Sequence, residues 1–152
     1  MYLDISFIFP KSNDTRERLF EVLKKYGLDQ GENTASVFQD RKIIVFLIDD
    51  ENADYDEICV DFSEQVFHKE TFEKEINELT DFVNHCFEYA PDLKYALCSY
   101  ELNGYLLGKI KKLKDINNDL LKNFPFVYER KDAFKPPLLQ INKYAQDIFI
   151  IE

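Results

Sequence analysis

Six apolar residues in a row, Ile43 to Ile48, run straight into a segment that carries eight acids and no Lys or Arg as far as His68. Few arrangements accept that junction. The apolar run needs cover on both faces, as a strand in the middle of a sheet has. The acids are Asp49, Asp50, Glu51, Asp54, Asp56, Glu57, Asp61 and Glu64. They repel one another, so they belong at a surface where water or a basic partner can surround them.

The rest of the chain fits around that strand. Leu3, Ile5, Phe7 and Phe9 alternate with Tyr2, Asp4, Ser6 and Ile8, which predicts a strand with one strongly buried face, ended by Pro10. Asp14 and Glu17 read as a capping box for a helix with the stripe Leu19, Phe20, Leu23 and Tyr26, stopped at Gly27. Thr34 to Gln39 and Lys42 to Ile48 read as a hairpin through Asp40-Arg41. Beyond the acidic loop, Ile58, Val60 and Phe62 point to the core, which turns Glu57 and Asp61 outward. Phe72, Ile76, Leu79, Val83, Cys86 and Phe87 trace a second helix, with Pro91 past its end. Tyr95 to Leu102 is a further strand, followed by a hairpin signal at Asn103-Gly104. Ile116, Leu120, Leu121 and Phe124 predict a short helix. Phe126 to Glu129, Leu139 to Asn142 and Ile148 to Ile151 then complete the sheet. The expectation is one α+β domain over residues 1–152: a mixed, mostly antiparallel sheet with two or three helices packed against it.

Charge and cysteines exclude several function classes. Residues 1–101 hold 23 acids and 10 bases, net −13, and residues 102–152 hold 6 and 9, net +3. A nucleic-acid partner requires a basic footprint that this balance opposes. The one basic cluster, Lys109, Lys111, Lys112 and Lys114, reads as a solvated edge. Cys59, Cys86 and Cys98 form no C-x-x-C pair and suit reduced thiols in a cytoplasmic protein. Neither a signal peptide nor a membrane span is expected.

Catalytic chemistry has little to stand on. Asp50, Asn52, Asp54, Asp56 and Asp61 fall at positions 1, 3, 5, 7 and 12 of a calcium-loop template. Tyr55 stands where that loop needs Gly, however, and Asp61 is short for the bidentate position. No metal or other cofactor is expected. His85-Cys86 reads as a structural cysteine beside a surface histidine, and no glycine pattern forms a phosphate loop. The chain is expected not to be an enzyme.

The acidic segment remains as a surface for a basic partner, with Tyr55 as an exposed aromatic anchor among Asp49, Asp50, Glu51, Asp54, Asp56, Glu57, Asp61 and Glu64. Replacing Asp54, Asp56 and Glu57 together is then expected to shift stability by only about ±0.5 kcal/mol, as exposed charges do. In its N-terminal strand, Leu3-Asp4-Ile5-Ser6-Phe7-Ile8-Phe9, and its Asn123-Phe124-Pro125-Phe126-Val127-Tyr128 segment, the chain resembles the immunity proteins paired with bacterial polymorphic toxins. That resemblance is one of size, charge and texture. It implies an antitoxin that blocks a cognate toxin, such as a nuclease, by occlusion. The alternative is an acidic structural or regulatory domain with no dedicated ligand, or one that binds a divalent ion weakly.

Overall fold

In a computed structural model, which describes residues 2–35, 41–63, 67–100, 105–142 and 150–151, the N-terminal strand β1 (Tyr2–Pro10) is the centre of the sheet. The chain order is β1, α1 (Asn13–Lys25), β2 (Gly31–Ala35), β3 (Arg41–Ile48), β4 (Tyr55–Ser63), β5 (Phe67–His68), α2 (Phe72–Tyr89), β6 (Tyr95–Tyr100), α3 (Tyr105–Lys109), α4 (Asn118–Leu121), β7 (Phe126–Glu129), β8 (Leu138–Ile141) and β9 (Ile150–Ile151), with a single 3-10 turn at Leu113–Asp115 before α4. Seven strands pair in the order β2-β3-β4-β1-β6-β7-β8, and every pairing in that sheet is antiparallel. This is the expected α+β class.

Both long helices lie on one face. Leu19, Val22 and Leu23 of α1 and Ile76, Leu79, Phe82, Val83, Cys86 and Phe87 of α2 pack on Ile5, Phe7, Phe9, Ile58, Val60 and Phe62 of the two central strands. Each such aromatic or aliphatic side chain contributes about 1.5–3 kcal/mol on burial. Helix α1 starts from Ser12, not Asp14: the Ser12 hydroxyl accepts from the Thr15 N–H at 3.2 Å. It stops in a Schellman turn, with the Gly27 N–H donating to Lys24 O and the Leu28 N–H to Leu23 O. Gly27 holds φ +77°, the left-handed value that such a stop requires.

The opposite face is not the wet one that alternation predicts. Leu106 and Leu107 of α3, Ile116, Leu121 of α4 and Phe124 close over Ile8, Tyr55, Tyr95, Leu97 and Val127 as a second core. Helix α3 escaped the sequence reading because five residues carry too little periodicity, and it occupies the place of the second arm of the hairpin expected after Asn103-Gly104. Strand β9 also differs: it pairs in parallel with β5 in a separate two-stranded sheet. Asp40, Glu64, Asn103-Gly104 and Ile148 lie outside the described residues. Among the described residues, no helix is long and apolar enough to cross a membrane.

Candidate functional site

The acidic segment divides into a turn and a strand, and the two handle charge differently. The turn joins β3 to β4, so Asp49 to Asp54 project from the end of the sheet. Asp50 folds the turn on itself: its Oδ1 accepts from the Asn52 N–H at 2.9 Å and its backbone oxygen from the Ala53 N–H at 3.0 Å. Two other parts of the chain then clamp it. From the β1–α1 connection, Lys11 Nζ donates to Asp50 O at 2.7 Å and lies 3.3 Å from the Asp49 carboxylate. From the segment after α3, Lys111 binds the Asp50 carboxylate, and the Leu113 N–H donates to Asp54 Oδ1 at 2.7 Å. The Lys111 ammonium holds the Asp50 carboxyl below its usual range. Glu51 is exposed and has neither a hydrogen bond nor an ion pair among the described residues.

Strand β4 takes the remaining acids inside. Tyr55, expected at the surface, is fully buried, and its hydroxyl donates to Ile110 O at 2.6 Å. Burial pushes its phenol well up. Asp56 is equally buried and faces α1, where Arg16 Nε and Nη2 meet its two oxygens at 2.8 and 2.9 Å. That is the bidentate fork for which guanidinium is shaped. Arg16 also reaches Asp49 at 3.5 Å and so ties the turn to the strand.

Glu57, expected to point outward, is buried on the other face, opposite Ile8 of β1 and Ile48 of β3. The Ser6 hydroxyl donates to its Oε2 at 2.6 Å, and Oε1 has no partner among the described residues. Burial raises this carboxyl to about 7, although the Ser6 bond works against the rise. Four residues on, Asp61 stands directly opposite Asp4 of β1, itself only 1 % exposed. Burial raises the Asp61 carboxyl, and a hydrogen bond with Asp4 partly offsets this. Two carboxyls bond one another only when one keeps its proton.

The acids therefore do not converge. Of the segment chosen from the sequence, Asp49, Asp50, Glu51 and Asp54 share the turn. Tyr55, Asp56 and Glu57 are interior, Asp61 is half-buried, and Glu64 lies outside the described residues. Substituting Asp56 or Glu57 is accordingly a core change, not the near-neutral surface change that alternation suggested. The calcium-loop pattern fails for the same reason. Asp56 and Asp61 sit five residues apart along one strand, about 16 Å at the strand rise, and Asp56 is spent on Arg16. No group of three or more His, Cys, Asp or Glu suited to a metal ion occurs among the described residues.

The cysteines are free and buried, with thiols that burial pushes up, and Cys86 lies in the core while His85 is exposed. His85 Nδ1 hydrogen-bonds the Tyr26 hydroxyl, so histidine and cysteine occupy separate environments. What sequence reasoning missed is the use of the lysine cluster. Lys111, read as a solvated edge, is the countercharge of Asp50, and the backbone beside it holds Asp54 and Tyr55. The signal was present as an opposite-charge cluster some sixty residues along the chain. Compared with protein-family models, with curated proteins and with solved structures, the chain matches none.

Proposed function

We propose that this chain is a non-enzymatic binding protein of the immunity type, which meets a basic protein partner through the acidic turn Asp49, Asp50, Glu51 and Asp54. The clamping of that turn supports this reading. Three of its four carboxylates, those of Asp49, Asp50 and Asp54, are held by Lys11, Arg16, Lys111 and the Leu113 N–H, which reach it from three separate segments. Such a turn is preorganised, and a partner that binds it avoids the ordering cost that a free loop imposes. Two of the four acids face lysines, so the turn keeps part of its charge for steering a basic surface.

The same bonds favour a second reading, in which the acids brace three segments of the fold and meet no partner. The two separate in one experiment. The chain is purified from its native cells, any basic protein bound to it is identified, and association is measured across a range of salt. Asp49→Asn, Glu51→Gln and Asp54→Asn together should slow association and flatten its salt dependence. An unchanged rate and slope in that variant would exclude the turn as the interface, and failure to find any basic partner would leave the bracing reading.

A further inference from the structure

Away from the acidic turn, a pocket of about 370 Å³ opens between the end of α2 and the loop from β7 to β8. Its size falls in the range of small-molecule sites. We infer that this pocket binds a free amino acid with an apolar side chain.

The lining supplies each part of that ligand. Phe87, Pro91, Phe134 and Pro136 give an apolar wall. Arg130 and Lys135 give positive charge for a carboxylate, while Glu88 and Asn84 on α2 give acceptors for an ammonium group. Arg130 is only 7 % exposed and its charge is firmly placed. Two of its N–H groups donate to Pro91 O and Phe87 O at the end of α2, and the guanidinium lies 5.1 Å from the centroid of the Phe87 ring. Its Nε is buried and has no acceptor among the described residues, so Arg130 acts on the pocket through its charge and not through that N–H. Glu88 is exposed and forms no ion pair among the described residues. Among the described residues Lys135 has only Asp132 as an ion-pair partner, at 3.9 Å and exposed on both sides.

Phe134 adds an independent observation. It is 91 % exposed and is the one non-glycine residue with positive φ, +66°, among the described residues. A bulky residue is strained in that conformation, and nothing among the described residues covers the ring in return. Bound ligand does. A zwitterion also suits the electrostatics. The chain carries −10 overall and repels an anion, the lining places two cations against a cationic ligand, and a neutral dipolar ligand meets both signs of charge.

Four probes test the assignment on the full chain: L-phenylalanine, 3-phenylpropionate, 2-phenylethylamine and glycine, by titration calorimetry and by amide NMR shifts. L-Phenylalanine should bind with shifts at Asn84, Glu88, Phe134 and Lys135. 3-Phenylpropionate and 2-phenylethylamine should each bind about tenfold more weakly, the value of one charge-assisted bond, and glycine, which lacks the ring, at least about tenfold more weakly through lost apolar burial. Lys135→Met should reduce affinity for L-phenylalanine but not for 2-phenylethylamine, and Glu88→Gln should spare only 3-phenylpropionate. Phe134→Gly, which suits the backbone at that position and so keeps the fold, should cost a similar factor for every ligand with a ring. Equal affinity for all four probes, shifts elsewhere in the molecule, or no binding of L-phenylalanine up to roughly 10 mM would each overturn the assignment.

Discussion

On the face covered by the two long helices Asp56 is buried against Arg16, while on the opposite face, one residue along, Glu57 is buried with the Ser6 hydroxyl as its donor. Both carboxyls are fully removed from water, yet they tolerate it by different means. Asp56 has a guanidinium, itself 23 % exposed, that meets both of its oxygens. Among the described residues Glu57 has a single hydroxyl donor and no cation, so burial favours its protonated form. The lesson is that burial of an acid is a question about its donors. A strand that alternates between two covered faces can pose it twice within two residues.

The comparison breaks most visibly at Arg16. Arg16→Ala strips Asp56 of its countercharge and leaves a buried carboxylate unpaired, a change that costs about 3 kcal/mol. Urea unfolding at pH 7 reads this directly. A loss below about 1 kcal/mol would place the pair in the class of weak surface bridges instead.

Glu57 sharpens the contrast through pH. Its folded value, about 7, lies above the ordinary 4.5, so the folded state holds the proton more tightly than the unfolded chain does. The stability this provides is fully present below about pH 4.5 and is lost as pH rises through 7. The full difference is on the order of 3 kcal/mol. Glu57→Gln keeps the shape and cannot ionise, so relative to the parent it should gain stability as pH rises from 5 to 8. Parallel pH profiles for the two proteins would show that Glu57 is ionised throughout.

Tyr55 gives the smallest effect. Tyr55→Phe removes the bond to Ile110 O but keeps the ring in its core, at a cost of about 1 kcal/mol. The segment after α3 should loosen with it, visible as faster amide exchange at Leu113, whose N–H binds Asp54. Unchanged exchange there would show that Lys111 and Asp54 hold the segment without the phenol.

The legible parts of the fold were those with long, clean periodicity. Helix α2 presents its apolar stripe to the core almost as its spacing demands, and β1, β3 and β4 stand where their apolar residues place them. The site was less legible. Alternation shows which residues of β4 share a face, and it assigned Ile58, Val60 and Phe62 correctly to the core. It does not show whether the other face is wet, and here it is not. The cover comes from α3, a 3-10 turn and α4, pieces of five, three and four residues whose hydrophobic pattern is too short to announce a layer.

By itself, the sequence determined the class of the fold, the places of its long helices and central strands, and the concentration of acid between Ile48 and Phe67. Those properties follow from local periodicity and composition, which act within a few residues. Tertiary structure decided which acids meet Arg16, Lys111, Ser6 or water. That choice depends on strand order and on segments far apart in the chain, and an ionisable group takes its charge from whatever the completed fold brings to it.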